Sequence, residues 1–354
     1  MTSTDDVARA AGQAPRRRAT LAAVAAEAGV SLPTVSKVVN GRPDVAPETR
    51  ARVERLLGEF DYQRPGTQHG ARRRGRRSGL VDLIFNGLDS PWAVEILRGA
   101  EDWCAAHATG VAVSAVRHGS ARPASWTSTL ASHDTEGVIL VTSELTAPQL
   151  AQLRGDGIPL VVVDPVNLPD PELPSVGTTN WAGGLAATDH LASLGHQRIA
   201  AIAGPPDYLC SRARVDGYRS ALDRAGVPFR PDYVRHGDFQ HEGGFLRGRE
   251  LLGLPEPPTA IFAGNDQQAL GLYEAARQHG LRVPQDLSIV GFDDLPVARW
   301  VSPPLTTVRQ PLAEMGRTAA AMLGDLIDGK PLRSRRVELS TELILRESTA
   351  SPRR

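Results

Sequence analysis

From residue 79 onward, short runs of apolar residues alternate with segments of helical periodicity. An apolar run without polar alternation is typical of a strand that is covered on both faces, as in parallel sheets flanked by helices. The span 79–354 is long for one such sheet, so we expect two α/β subdomains with a cleft between them. The predicted strands are 80–85, 111–116, 138–141, 160–163, 199–203, 260–263 and 288–292, and the predicted helices are 93–107, 182–194, 212–225 and 267–279.

The residues before this α/β region have a different pattern. Residues 1–18 are polar and lack apolar periodicity, which predicts a disordered tail. Residues 19–63 contain three short helical patterns with a glycine-containing turn between the first two, which is typical of a helix-turn-helix. The first pattern begins at Thr20 and stops at Gly29, the second covers 32–39 after a capping Ser31, and the third runs from Pro47 to about Phe60.

Positive charge is concentrated in the first 78 residues. The whole chain has 40 Lys+Arg and 40 Asp+Glu, whereas residues 1–78 have 15 basic and 8 acidic side chains, a net charge of +7. Six of these arginines lie in 64–78, which reads as a cationic hinge or linker. A basic N-terminal part on an acidic body favours a polyanion as the partner of the N-terminal part.

Composition excludes several classes of protein. With 41% hydrophobic and 23% charged residues the chain is globular rather than disordered. Cys104 and Cys210 lie far apart without metal-ligand spacing, so neither a disulfide framework nor a zinc finger is expected, and both thiols should be buried. The sequence has no signal-peptide pattern and no apolar run near the roughly 20 residues of a membrane helix. We therefore expect a cytoplasmic protein, associated with the nucleoid through DNA.

A helix-turn-helix places its second helix in the major groove, where two or three side chains reach base edges. The outward positions of this helix predict that Leu32, Pro33 and Lys37 reach bases, while nearby hydroxyls and arginines hold phosphates. The alternative is a three-helix docking domain that does not bind DNA. The charge asymmetry and the arginine-rich linker favour DNA.

The segment TLAAVAAEAGVSLPTVSKVVNG at 20–41, followed by VAPETR at 45–50, resembles the DNA-binding domain of the lac repressor/galactose repressor family of bacterial transcription factors. The resemblance continues in LGHQRIA at 194–200, SRARVDGY at 211–218, AGNDQQALG at 263–271, VGFDD at 290–294 and PLTTVRQP at 304–311. It implies a homodimer whose body, 79–354, is similar to periplasmic sugar-binding proteins, with two subdomains that close on a small ligand and also carry the dimer contacts.

The resemblance also implies which residues face DNA. Leu32 and Pro33 occupy the positions that usually decide the operator sequence. Lys37 stands where relatives more often have arginine, which replaces a bidentate guanine contact by a single point charge. The implied DNA-facing residues are Thr20, Leu21, Ser31, Leu32, Pro33, Thr34, Ser36, Lys37, Asn40 and Thr49.

The hinge departs from the family pattern. Relatives form a short helix there on DNA and insert a leucine into the minor groove, whereas this chain has Ala71 near that position. An alanine is too small to separate base steps. We expect Arg72, Arg73 and Arg74 to bind the minor groove or its phosphates instead.

Three aromatic residues, Trp92, Trp181 and Phe239, lie at predicted strand-to-helix junctions. Sugar sites combine aromatic faces with Asp, Asn and Arg side chains that bind hydroxyls in pairs, and ligands of open α/β folds bind at strand ends. Each such residue alone is also compatible with a helix cap or a core aromatic. By family position, the implied effector-binding residues are Asp89, Trp92, Asp164, Arg214, Phe239, Asn265 and Asp293, with Arg212 and Gln310 nearby.

No catalytic motif is complete. The segment GDLIDGK at 324–330 matches the start of a phosphate-binding loop, but Pro331 replaces the Ser or Thr that holds Mg²⁺. We expect no metal, no cofactor and no enzymatic activity. The sequence predicts a repressor that a mono- or oligosaccharide inducer releases from a palindromic operator. The alternatives are control by a purine or other non-sugar corepressor, and a sugar-binding module without a DNA function.

Overall fold

A computed structural model of the chain describes residues 21–39, 45–59, 78–116, 130, 134–142, 145–167, 170 and 172–353. The chain divides into two compact units, Met1–Arg76 and Arg77–Arg354, which we call the head and the body. The predicted tail 1–18 and nearly all of the linker 64–78 lie outside the described residues. The same holds for six of the predicted DNA-binding and hinge residues, namely Thr20, Asn40, Ala71, Arg72, Arg73 and Arg74.

The head contains three helices, α1 (Leu21–Ala28), α2 (Leu32–Val39) and α3 (Pro47–Glu59). Val24, Val35 and Val53 are fully buried between them and form the centre of its core. Gly29 makes the turn after α1 with a φ of 63°, a conformation that favours glycine. The direction of the chain changes by 109° between α1 and α2, as in a helix-turn-helix. The predicted three-helix pattern is confirmed.

The body contains a long alternation of strands and helices. In chain order these are β1 (Leu80–Phe85), α4 (Pro91–Ala106), β2 (Gly110–Ala115), β3 (Val138–Val141), α5 (Ala147–Gly155), β4 (Leu160–Val163), β5 (Ser175–Thr178), α6 (Asn180–Ser193), β6 (Ile199–Ala203), α7 (Leu209–Ala225), β7 (Val234–His236), α8 (His241–Leu252), β8 (Ala260–Ala263), α9 (Asp266–Gln278), β9 (Ser288–Asp293), α10 (Val297–Trp300), β10 (Thr306–Arg309), α11 (Leu312–Ile327), β11 (Arg336–Leu339) and β12 (Glu342–Ile344).

Two sheets divide the body into an N-subdomain and a C-subdomain. The strand order is β11-β5-β4-β3-β1-β2 in the first sheet and β12-β10-β9-β8-β6-β7 in the second. All described pairs are parallel except β10 with β12. Helices α4 and α11 cover one face of the first sheet and α5 the other, whereas α8 and α9 cover one face of the second and α6 and α7 the other. The predicted fold class is confirmed.

The chain crosses between the subdomains after β5, after β10 and after β11. Side chains at these crossings are tied to one another, since Thr178 Oγ1 donates to Gln310 Oε1 at 2.7 Å and the hydroxyls of Thr179 and Thr341 lie 3.0 Å apart. The buried Gln310 also donates through Nε2 to Asp293 Oδ1 at 2.6 Å. A hydrogen-bonded path, here called the strap, therefore runs from Asp293 through Gln310 to Thr178.

All seven predicted strands and all four predicted helices of the body are present, and their ends are within three residues of the predicted ones. The strands β5, β7, β10, β11 and β12 and the helices α5, α8, α10 and α11 were not among the predicted elements. Most of these missed elements lie near the crossings or at the edges of the sheets. The sequence patterns therefore identified the central strands of the sheets better than the elements at the crossings and sheet edges.

Candidate functional site

The outer face of α2 presents the side chains that were predicted to reach bases. Leu32 is 48% exposed, and Pro33 and Lys37 are exposed beside it, whereas Val35 and Val38 are buried in the core of the head. An apolar side chain and a cation on the solvent face of a short helix are suited to the edges of base pairs in the major groove. The exposure of Leu32 also means that it contributes little to the core.

Two of the predicted DNA-facing hydroxyls form the N-terminal cap of α2. The backbone N–H of Thr34 donates to Ser31 Oγ at 3.3 Å, and the two hydroxyl oxygens lie 2.8 Å apart. A side-chain oxygen in this position satisfies a free N–H of the first helical turn. The predicted cap at Ser31 is confirmed, so both hydroxyls have a structural function in addition to any contact with phosphate. Leu21, Ser36 and Thr49 are half-buried.

In the body, a cavity of about 140 Å³ lies between the subdomains at the carboxyl ends of the strands, and we call it the cleft. Four of its lining residues, Thr142, Asp164, Phe239 and Asp293, have positive φ angles of 44°, 46°, 66° and 113°. Such angles cost about 1–3 kcal/mol in residues other than glycine and cluster at binding sites. The strained backbone therefore lies where ligands bind in open α/β folds.

Arg214 is the cation of the cleft, and it is held in one position. It is 4% exposed, its Nε donates to Asn180 Oδ1 at 2.8 Å, and its Nη1 donates to Gly264 O at 2.6 Å. The guanidinium lies 3.8 Å from the centroid of the Phe292 ring. Gly184 makes this position possible, because a Cβ at Gly184 would overlap the Arg214 backbone where α6 packs on α7.

Two buried carboxyl groups, Asp164 and Asp293, interact with this arginine, and the buried Asp266 interacts with Asp293. Burial raises the pKa of Asp293 to about 7, although Arg214 and a hydrogen bond from Gln310 favour its ionised form. Burial also raises the pKa of Asp164 against the attraction of Arg214, and it raises the pKa of Asp266 together with repulsion from Asp293. Asp266 already accepts two internal hydrogen bonds. Asp164 and Asp293 are therefore the buried carboxyls that can bind a ligand in the cleft.

Aromatic rings form the apolar walls of the cleft. Trp92 stands at the start of α4, where its backbone N–H donates to the capping Ser90 hydroxyl at 3.3 Å. Phe239 lies 6.2 Å from Tyr208 between ring centroids. Its ring packs so closely on Gly204 that a Cβ there would overlap it. The cleft thus combines aromatic faces with a cation and two buried carboxyls.

Six of the seven predicted effector-binding residues line the cleft, namely Trp92, Asp164, Arg214, Phe239, Asn265 and Asp293. Asp89 does not line it; it is exposed on the loop after β1. Arg212 is exposed on α7, and Gln310 reaches the cleft only through Asp293. Asn265 is also the N-cap of α9, since its Oδ1 accepts from the backbone N–H of Gln268 at 2.9 Å.

The sequence patterns missed other lining residues and misplaced one. Asn86, Thr142, Tyr208, Asp238, Gln240 and Gln267 also line the cleft. Asn86 and Thr142 directly follow β1 and β3, as Asp164 follows β4, and this position was the available signal. Among the described residues Thr142 Oγ1 is buried without a hydrogen-bond partner. Trp181 lies outside the cleft and instead lines a neighbouring cavity, 47% exposed.

Other classes of site find little support in the described part of the chain. It contains no group of three or more His, Cys, Asp or Glu side chains that would fit a metal ion. Within the same residues no single helix is long and apolar enough to cross a membrane, and α1 with α2 passes only as a bent pair on length and composition. Cys104 and Cys210 are free and buried, as expected, and burial raises the pKa of Cys104 to about 11.

A helix-turn-helix unit and an α/β body with a polar cleft define the class of DNA-binding regulators that respond to a small ligand. The family model for bacterial regulatory proteins of the lacI family matches residues 20–65, and the model for the periplasmic binding protein-like domain matches 188–349. The chain is 35% identical over 331 residues to the transcriptional repressor CytR of Escherichia coli (strain K12), which covers 94% of this chain and 96% of CytR. This protein belongs to the lacI family of bacterial regulatory proteins, and it is a DNA-binding transcriptional regulator.

Further relatives and solved structures agree with this assignment. The transcriptional regulator CelR of Thermobifida fusca is 35% identical over 348 residues, which cover 94% of this chain and 99% of CelR. A structure of the CelR–cellobiose complex superposes with a TM-score of 0.72 at 35% identity, covering 94% of this chain and all of that one. The lac repressor dimer bound to operator and the anti-inducer ONPF gives a TM-score of 0.70 at 29% identity with the same coverage. The resemblance found in the motifs is confirmed.

Proposed function

We propose that this regulator is a repressor that a saccharide inducer releases from a palindromic operator, and that it has no enzymatic activity. The composition of the cleft carries the proposal, because Arg214 and the buried carboxyls of Asp164 and Asp293 line it together with Trp92 and Phe239. Charged groups of this kind bind adjacent hydroxyls in pairs, while aromatic faces stack on the C–H surface of a sugar ring. The cellobiose complex of the similar regulator CelR supports the same ligand class.

The protein acts on DNA as a homodimer in this proposal. Its DNA-binding domain is 19–63, its hinge is 64–78 and its effector-binding and dimerisation domain is 79–354. Two heads bind half-sites about one helical turn apart, or a multiple of it, with Leu32, Pro33 and Lys37 toward the bases. The dimeric lac repressor on its operator supports this arrangement.

The strap connects Asp293 in the cleft with the crossings between the subdomains by hydrogen bonds. A ligand can control DNA binding only if it binds two arrangements of the body unequally, and such coupling is typically about 1–3 kcal/mol. A hydroxyl bound at Asp293 shares this carboxyl with the hydrogen bond from Gln310, which in turn accepts from Thr178 at the first crossing. Occupation of the cleft therefore alters the contacts that fix the two subdomains relative to each other.

The test measures binding of the pure protein to a DNA fragment with its own promoter region, at fixed salt, with and without a panel of mono- and oligosaccharides. We expect tight, specific binding that one saccharide weakens by about 5- to 150-fold, without consumption of the saccharide. The variants Leu32→Ala and Lys37→Ala should weaken DNA binding and leave saccharide binding intact. DNA binding that no saccharide changes would refute the proposal of a saccharide inducer. Absence of DNA binding would refute the proposal that the protein is a repressor.

A further inference from the structure

A second cavity, of about 360 Å³, adjoins the cleft and is called here the flank cavity. Its walls come from the carboxyl end of β4, from β5 and β11, and from the first turns of α6 and α7. Asp164 and Cys210 line both the flank cavity and the cleft. The two spaces therefore meet at these two buried side chains.

The small volume of the cleft also favours a ligand that occupies both spaces. Sites for small organic ligands usually enclose roughly 300–1,000 Å³, whereas the cleft alone has about 140 Å³. The flank cavity brings the combined space into that range. A ligand confined to the cleft would leave the larger of the two spaces empty.

The walls of the flank cavity repeat the chemistry of the cleft. Trp181 contributes a ring that is 47% exposed. Arg336 and Glu338 are exposed, and they share one face of β11 because they are two residues apart in a strand. Within the described residues neither side chain forms an ion pair or hydrogen bond with another side chain. An aromatic face beside a cation and a carboxylate is what a sugar ring requires.

Gly177 forms part of the same wall, on β5 beside Glu338. A Cβ at Gly177 would meet no atom within 4 Å, and its φ is not in the left-handed region. The space next to this residue is therefore free of protein, and a side chain there would fill the flank cavity without backbone strain. This residue gives a direct way to block the cavity.

We propose that the effector is an oligosaccharide of at least two sugar units. One ring binds in the cleft at Arg214 and Asp293, and the adjacent ring stacks on Trp181 in the flank cavity, where Arg336 and Glu338 bind its hydroxyls. This inference rests on the proposed saccharide effector and specifies its length and its second subsite.

The test titrates the purified full chain by calorimetry with glucose, galactose and xylose and with cellobiose, maltose, lactose and xylobiose. We expect at least one disaccharide to bind about tenfold or more tightly than each of its component sugars. Gly177→Val and the exposed Trp181→Ala should each lower the affinity for that disaccharide by about tenfold. The matched control is Gly155→Val, at an exposed glycine of α5 where a Cβ also meets nothing within 4 Å.

Release of operator DNA is measured in the same samples, so that two failures can be told apart. If a monosaccharide binds and releases DNA and no disaccharide binds more tightly, the second subsite is refuted while the inducer function stands. An unchanged disaccharide affinity in both Gly177→Val and Trp181→Ala also refutes the subsite. If no saccharide of the panel binds, the saccharide effector is refuted and the inference with it.

Discussion

The two faces of the cleft are prepared for a ligand to different degrees. On the C-subdomain face, Arg214, Asn265 and Asp293 already have hydrogen-bond partners within the protein, so their positions are fixed. On the N-subdomain face, Thr142 Oγ1 has no partner among the described residues and Trp92 is half-buried. A preformed face binds a ligand with little ordering entropy, whereas an unpartnered group gains its hydrogen bond only when ligand arrives. We therefore expect the C-subdomain face to supply most of the effector affinity.

The largest effect is expected from Arg214→Ala on the preformed face. Loss of the guanidinium leaves Asp164 and Asp293 without a countercharge and removes a charged hydrogen-bond donor, so effector affinity should fall by about 2–5 kcal/mol. Calorimetric titration with the saccharide that releases the wild-type protein from DNA measures this loss. Arg212→Ala is the matched control, because Arg212 is exposed on the same helix outside the cleft. Equal losses in both variants would contradict a special position for Arg214.

The second expected effect concerns the packing that holds this arginine. A Cβ at Gly184 would overlap the Arg214 backbone, and overpacking of this kind typically destabilises by about 1–3 kcal/mol. Gly184→Ala should therefore lower the free energy of unfolding by that amount and weaken effector binding with it, as measured by denaturant titration and calorimetry. In Gly155→Ala, where the added Cβ meets no neighbour, stability should not decrease. A stable Gly184→Ala variant would show that α6 and α7 can separate without loss.

How well the sequence predicts a strand of the body depends on the composition of that strand. The strands β4 and β8 are four buried residues each with an unbroken apolar pattern, so they were predicted with correct ends. The strand β5, with the sequence SVGT, and the edge strand β11, with RVEL, carry polar or small residues because they lead into the crossings. Strands with such a composition contain no apolar run, and β5 and β11 were therefore not predicted.

The site residues follow the same division. Arg214 and Asp293 were predicted because they lie in distinctive motifs and Asp164 from its family position, and all three line the cleft. Thr142 occupies the equivalent strand end after β3, but a threonine there is an ordinary residue, and only the fold shows its free hydroxyl. Trp181 was misplaced because its position after a strand does not reveal that the strand leads to a crossing. Its ring consequently lines the flank cavity instead of the cleft.

A third prediction uses the pH dependence of the ligand-free protein. The pKa of Asp293 is raised to about 7 by burial, in spite of Arg214 and Gln310, so the folded state binds this proton more tightly than the unfolded state. The stabilisation is complete below the unfolded pKa, near 4, and is lost as pH rises toward 7, by up to about 1.4 kcal/mol per pH unit. Asp164 and Asp266, whose pKa values are also raised, act in the same direction.

Comparison with Asp293→Asn isolates this carboxyl from the other two. Denaturant titrations at a series of pH values between 4 and 8 should show a smaller loss of stability with rising pH in the variant than in the wild type. Parallel curves for the two proteins would mean that the pKa of Asp293 is the same in the folded and unfolded states.

The aromatic walls provide a direct comparison of the two faces. Phe239 packs on Gly204 and near Tyr208, whereas Trp92 belongs to the less constrained face. We expect Trp92→Ala to lower effector affinity by about 0.5–1.5 kcal/mol and Phe239→Ala to lower it more, since the second change also loosens the preformed wall. Calorimetric titration measures the effector affinity of both variants, with Trp300→Ala as a control outside the cleft. A larger loss for Trp92→Ala would reverse the proposed asymmetry.

The smallest effect is expected where the two faces meet. Asn86 Nδ2 donates to the Tyr208 hydroxyl across the cleft at 3.2 Å, and a partly solvated hydrogen bond of this length contributes no more than about 1 kcal/mol. Because it joins the subdomains without a ligand, Tyr208→Phe should shift the body toward the open arrangement and lower effector affinity only a few-fold. Asn86→Ala should do the same, and the double variant should lose no more than either single one. Additive losses would instead mean that the two side chains contact the effector separately, and that no direct bond joins the faces before the ligand binds.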